Sequence, residues 1–387
     1  MPVPDDLSPI VRGTARVLCA FDVGAAIDLA EARRRAGAAV APTGEAVVGR
    51  ARHVPGLECE PPPLRLIEKS SPAPGLPWPI EKEVETTLFD FGAVCVCHRL
   101  RLDGTVAALR RAMPAIVDSA SLRTDAERRV AELIERLGPA IDRPALAPER
   151  EEYVVLGVDP ACLGGDDGRG EDFGTGVAGV SIQSLDRGEL AGLLRAEIGP
   201  LSEEEIADSL AERSSRRVSD LVVVDWPAAL LVDADPRATL EILEFLNVQL
   251  LEFRVLDRRL DEGLDGAYAA LRTRGFAGRG LGWRWSSANR DWRRIARMQV
   301  DAALLYESVQ NGLKVVGDPR LARLVASVSR RFGLIRWEEG IRRKLEVLGS
   351  IEQTIAEGQS QRRAEILEWI IIALIAFEVV FGFTGWK

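Results

Sequence analysis

The chain has 387 residues, of which 47% are hydrophobic and 28% charged, with a net charge of −9. That length holds two domains, or one large domain with extensions, and a full core. The acidic balance argues against a general polyanion binder.

In chain order, "TARVLCAF" reads as a strand and "AAIDLAEARRRAG" as a helix stopping at Gly37. A proline-rich linker leads to "VETTLFDFGAVCVCHRLRL", a long strand or hairpin rich in β-branched and aromatic residues. Two amphipathic helices run to about Leu137, followed by the strands "EYVVLGV" and "GVAGVSIQ" around a Gly/Asp loop. A helical pair covers Asp186 to Arg213, and "SDLVVVDWPAALLVD" reads as two strands broken near Pro227. Strands and helices alternate irregularly, which predicts an α+β domain rather than a regular doubly wound sheet. Asp235-Pro236 is a helix start, since Asp caps free N–H groups and Pro suits the first helical position. The helix "RATLEILEFLNVQLLEFRVLDRRLD" is apolar on most faces and therefore buried. Further helices carry the stripe Trp292, Ile295, Ala302, Leu305, Val309 and Leu313, start at Asp318-Pro319, and run on from Trp337. These predict a helical hairpin or bundle.

The last segment, 366–386, is almost wholly apolar, and about 20 helical residues cover the ~30 Å hydrocarbon core. Trp369 and Trp386 bracket it and Arg362 and Arg363 precede it, as interfacial anchors would. Glu378 lies midway, with Gly382 and Gly385 at i+4 and i+7, a face suited to close helix association. The expected architecture is an α+β soluble domain over 1–234, an all-helical domain over 235–365 and a C-terminal transmembrane helix over 366–386.

Arg362, Arg363, Leu367, Glu368, Trp369 and Glu378 form a basic pair, Leu-Glu-Trp and an acid nine residues after the Trp. This pattern resembles the C-terminal signature of the family named for required for meiotic nuclear division protein 1, or domain of unknown function 155. Looser matches at "TLFDFGAVCVCHRL" and "LEILEFLNVQLLEFRVLDRRLD" follow the family order from Val84 to Lys387. The resemblance implies a single-pass membrane protein that forms homo-oligomers and has no assigned catalytic activity. Mitochondrial relatives are linked to translation at the inner membrane. With no transit peptide, this chain resembles a bacterial relative, placed in the inner membrane with its N-terminal part in the cytoplasm.

Cys19, Cys59, Cys95, Cys97 and Cys162 are an odd number spread through the chain, and "MPVPDDLSPIVRG" has no basic start followed by an apolar run. Both favour a reducing compartment for the bulk of the chain. Gly174, Gly176 and Gly179 match a dinucleotide-binding pattern, but a strand pattern follows where a helix is needed. Asp159, Asp166, Asp167, Glu171 and Asp172 lack EF-hand spacing and read as a solvated loop. "CVCH" puts Cys95 and Cys97 on one strand face and His98 on the other, so it is not read as a zinc site. No metal, cofactor or catalytic constellation is expected. The stretch 272–297 carries eight arginines, among them Arg284, Arg290, Arg293 and Arg294, interleaved with Trp283, Trp285 and Trp292. That composition suits RNA or anionic lipid headgroups. The expected function is a membrane-anchored, non-enzymatic oligomeric scaffold or adaptor engaging a cytoplasmic protein partner. The alternatives are an RNA- or ribosome-binding membrane tether supporting translation through 272–297 and, more remotely, a membrane-bound enzyme with its site in the acidic loop.

Overall fold

The near-continuous apolar run before Asp22 forms a strand buried on both faces, as a strand in the middle of a sheet is. In the computed structural model β1 (Ile10–Asp22) holds that place. The structure describes residues 10–37, 57–58, 61–71, 75–163, 186–215, 220–275 and 318–351, with further positions at 300, 303, 306–307, 314–315, 353, 368, 370–372 and 374–375.

The main sheet has eight strands in the order β4-β5-β6-β1-β8-β11-β10-β9. They are β4 (Leu64–Lys69), β5 (Ile80–Leu88), β6 (Ala93–Thr105), β8 (Arg150–Val158), β9 (Arg213–Ser214), β10 (Leu221–Val224) and β11 (Ala228–Val232) around β1. β1 pairs antiparallel with β6, Val17 opposite His98, and with β8, Val17 opposite Val154. The β8–β11 pair is parallel, so the sheet is mixed. Small ladders join β2 (Ala26–Ile27) to β7 (Ile141–Asp142) and β3 (Leu57–Glu58) to β12 (Lys314–Val315).

Odd-numbered residues of β1, from Val11 to Phe21, face a core built with α2 (Val106–Val117) and α3 (Ala120–Leu137), including Leu109, Met113, Leu122, Val130 and Leu133. The helices begin where short polar side chains take up free backbone N–H groups: Asp28 for α1 (Leu29–Ala36), Thr105 for α2 and Ser119 for α3. Asp186 caps α4 (Arg187–Leu194) and Ser202 caps α5 (Glu203–Ser209) in the same way. Arg110 of α2 lies across α4 and donates to the carbonyls of Glu197 at 2.8 Å and Ile198 at 3.1 Å, and to Glu189 at 3.0 Å. Gly192 makes room for it, since a Cβ there would stand 2.2 Å from the Arg110 Nε.

The opposite sheet face receives the first half of α6 (Arg237–Gly275), which extends beyond the 237–261 expected from sequence. Phe245 meets Phe89 and Phe91 edge-on, and Ile242, Leu243, Leu246, Val248 and Leu251 are buried. α7 (Pro319–Arg331) starts at its Asp318 cap as predicted, and a further helix covers 334–351. By packing, the chain divides into two compact units: Met1–Val255 with Leu305–Trp337, and Leu256–Leu304 with Glu338–Lys387. In the second unit Lys344 reaches both Asp257 and Asp261 on α6, at 2.7 and 2.6 Å.

The C-terminal transmembrane helix expected over 366–386 is not supported. No helix among the described residues is long and apolar enough to cross a membrane. The single-pass anchor and the inner-membrane localisation are withdrawn with it. Glu368, Ile370, Ile371, Ile372, Leu374 and Ile375 are helical and exposed. Arg362, Arg363, Leu367, Trp369, Glu378, Gly382 and Gly385 lie outside the described residues.

Candidate functional site

β10 and β11 are apolar throughout, yet the turn between them opens with an acid, in "VVVDWPAALLV". An acid so placed needs a counter-charge if it is buried. Asp225 is fully buried, and two arginines distant in sequence supply the charge. Arg195, at the C-terminal cap of α4, donates through Nε to Asp225 Oδ2 at 3.0 Å. Arg331, in the last turn of α7, reaches Asp225 Oδ1 through Nη2. Both arginines also hold Asp208 of α5, Arg331 at 3.0 Å. Hydrogen bonds from Arg331 first, and from Arg195, keep the Asp208 carboxyl below its usual range against the opposing effect of burial. Arg195 further pairs with Glu205, and Arg330 binds Glu212 through two nitrogens at 2.9 and 2.8 Å. Cations at the ends of α4 and α7 also suit the negative pole of each helix.

Beside this network stands Trp226, 40% exposed. Its ring is 5.4 Å from Phe332, perpendicular, and 5.8 Å from Tyr153. Tyr153 is fully buried and donates its hydroxyl to the Asp225 carbonyl at 2.9 Å, while burial pushes its titration well above the usual phenol range. The peptide between Trp226 and Pro227 is cis. The corner thus presents a braced indole amid three guanidiniums and four carboxylates. Trp and Arg dominate the binding energy of protein interfaces.

Sequence reasoning read this hairpin but not its role. The signal available was the lone acid inside an apolar run, followed by Trp-Pro.

The structure separates the "CVCH" residues as the strand alternation predicts. His98 Nε2 lies 2.9 Å from Asp125 Oδ2 of α3, whereas Cys95 and Cys97 are buried near Glu244 of α6. Burial alone would raise the Asp125 carboxyl, but hydrogen bonds from His98, Arg129 and Arg128 outweigh it and hold it far below the usual range. Its stabilising effect is therefore full above the unfolded value of about 3.9 and is lost as pH falls below that. Asp125→Asn is expected to lower stability by about 1–3 kcal/mol near neutrality. Urea titrations at falling pH should show that gap narrowing, and a gap independent of pH would contradict the assignment.

Among the described residues no group of His, Cys, Asp and Glu side chains could hold a metal. A cavity between α2, α4 and the sheet is lined by Val11, Leu102, Leu109, Leu156, Leu193 and Leu230 among other aliphatics, with no polar group to orient a substrate. Arg284, Arg290, Arg293, Arg294, Trp283 and Trp285 lie outside the described residues, as do Asp166, Asp167, Glu171, Asp172 and the three glycines of the dinucleotide-like pattern. Asp159 is described, and its Oδ1 accepts from the Ala161 N–H at 2.9 Å.

Residues 12–239 match the family described as Uncharacterized protein MJ0711, N-terminal domain. A relative, Uncharacterized protein MJ0711 of Methanocaldococcus jannaschii, is 23% identical over 194 residues, covering 49% of this chain and 58% of the relative. The chain thus spans less than two thirds of that relative's length. No solved structure matches the chain. These findings overturn the resemblance to the required for meiotic nuclear division protein 1 family. That resemblance rested chiefly on residues 362–378, beyond the matched segment.

Proposed function

The chain belongs to the family of the MJ0711 N-terminal domain, and from that premise we propose that it is a non-enzymatic scaffold that associates with a second copy of itself through the Trp226 corner. The observation that carries this reading is the exposed, braced indole set among residues of both charge signs. A twofold interface brings the same patch together on two copies, so the patch must complement itself. Arg330 beside Glu205 and Asp208, each more than half exposed, meets that condition, because rotation can set the guanidinium of one copy against carboxylates of the other. Bracing by Phe332 and Tyr153 reduces the ordering entropy lost on binding. The described buried carboxylates that are titration-shifted and arginine-paired fasten elements together instead of facing a polar cavity.

Sedimentation equilibrium tests the reading. The wild type should dimerise reversibly, and Trp226→Ala should weaken the dimer by about 2 kcal/mol or more, roughly thirtyfold in dissociation constant. A thermal scan establishes that the variant is folded. A wild type that stays monomeric, or a folded variant with an unchanged constant, refutes it.

A further inference from the structure

On the face of the sheet away from α3, one guanidinium is shared by three carboxylates. Arg65 of β4 donates Nη1 to Glu85 of β5 at 2.8 Å and Nη2 to Glu241 of α6 at 3.2 Å. Glu244, one turn further along α6, lies 3.6 Å from the same Nη2. Glu244 is the deepest of the three, with Thr87 and Cys95 beside it.

We propose that α6 is fastened to the β4–β5 edge of the sheet by a proton-dependent latch, in which Arg65 balances Glu85, Glu241 and Glu244 fully only when one of the α6 carboxyls is protonated. The latch rests on geometry different from the Trp226 corner and is independent of the self-association reading.

Three ionised carboxylates around one cation leave two negative charges in a partly buried site, which is unfavourable most of all at Glu244, the deepest of them. The neighbours do not supply the missing charge. From β6, Cys95 and Cys97 face the site as neutral thiols, since burial, aided by Glu244, pushes Cys97 up to about 12 and Cys95 well above the usual thiol range. Arg99 of β6 is drawn away to Glu81 and Glu83, at 3.6 and 3.8 Å. Arg16 of β1 lies near Cys97, and Arg237 of α6 is held by Asp235 at 2.8 Å. Thr87 of β5 offers only a hydroxyl. Burial accordingly raises both the Glu241 and Glu244 carboxyls, with Arg65 opposing it.

A carboxyl whose titration is raised by folding stabilises the fold below the unfolded value, near 4.3 for Glu, and that contribution is lost as pH rises through the folded value. The latch therefore loosens toward alkaline pH. That is opposite in sign to Asp125, where the carboxylate is the favoured form.

Hydrogen exchange on the full chain, between about pH 4.5 and pH 8.5 and corrected for intrinsic exchange, tests the latch. In the wild type, amides of 241–248 should progressively lose protection relative to those of α3 as pH rises above the unfolded carboxyl value. Glu244→Gln keeps the shape and removes the titrating group, so its 241–248 segment should stay protected throughout. A Gln variant with the wild-type pH slope overturns the proposal, and so does one deprotected equally at every pH. Glu241→Gln provides a second reading if Glu244→Gln does not fold: a flattened slope supports the latch, and an unchanged slope sinks it.

Discussion

Asp225→Ala is expected to destabilise the chain by about 3–5 kcal/mol, the usual consequence of removing one partner from a buried ion pair. The magnitude follows from what remains. Arg195 and Arg331 are mostly buried, and each aims a nitrogen at the vacated carboxylate. Arg331 keeps Asp208, and Arg195 keeps Asp208 and Glu205, but those acids are more than half exposed and already shared. The loss also reaches α4, α5 and α7 together, since all three are tied to the hairpin through this network. Urea unfolding followed by circular dichroism measures it. A loss under about 1 kcal/mol would mean that the arginines find solvent or other acids readily, and the corner would then not be rigid. Glu212→Ala is the control, because its partner Arg330 is exposed, and a far smaller effect is expected there.

Gly92→Val should be nearly as damaging, by about 3 kcal/mol or more, because two separate penalties act at one position. Gly92 has φ +96°, a conformation that L side chains rarely adopt. A Cβ there would also stand 2.2 Å from the Gly24 carbonyl oxygen, which is backbone and cannot swing aside. The turn from β5 to β6 packs on the end of β1: the Val23 N–H donates to the Gly92 carbonyl at 2.9 Å and the Ile27 N–H to that of Asp90 at 2.7 Å. Separating these backbones would disturb the β1–β6 ladder at its start and the Phe89, Phe91 and Phe245 cluster beside it. A midpoint shift in the same urea assay measures the effect, and a loss below about 1 kcal/mol would contradict the close packing described.

Much of the fold was legible because its signals are local. The helix start at Asp318, the stop at Gly37 and the break near Pro227 lie where short-range chemistry puts them, whereas the first helix begins later than read, with Asp28 as its cap. The alternation that sends His98 to one face and Cys95 and Cys97 to the other is equally local. Sheet order was not legible, since β1 lies between β6 and β8, strands that follow it by many residues. One local signal went unused: "FDVG" at 21–24 and "FDFG" at 89–92 are near repeats, and the structure packs them against each other. The candidate site was the least readable part. Asp225 is separated from Arg195 by 30 residues and from Arg331 by 106, so only folding brings the charges together. The terminal apolar segment misled because an apolar pattern of membrane length is a composition, and composition alone does not establish either a continuous span or a family.

Concentration-dependent hydrogen exchange tests the central claim most directly, because it locates the self-association surface as well as detecting it. Dilute and concentrated samples of the wild type should differ by about tenfold or more in exchange at 206–212, 224–228 and 328–333, with α3 unchanged. Exchange that does not depend on concentration anywhere, or protection gained only away from those three segments, would contradict the Trp226 corner as the place where two copies meet.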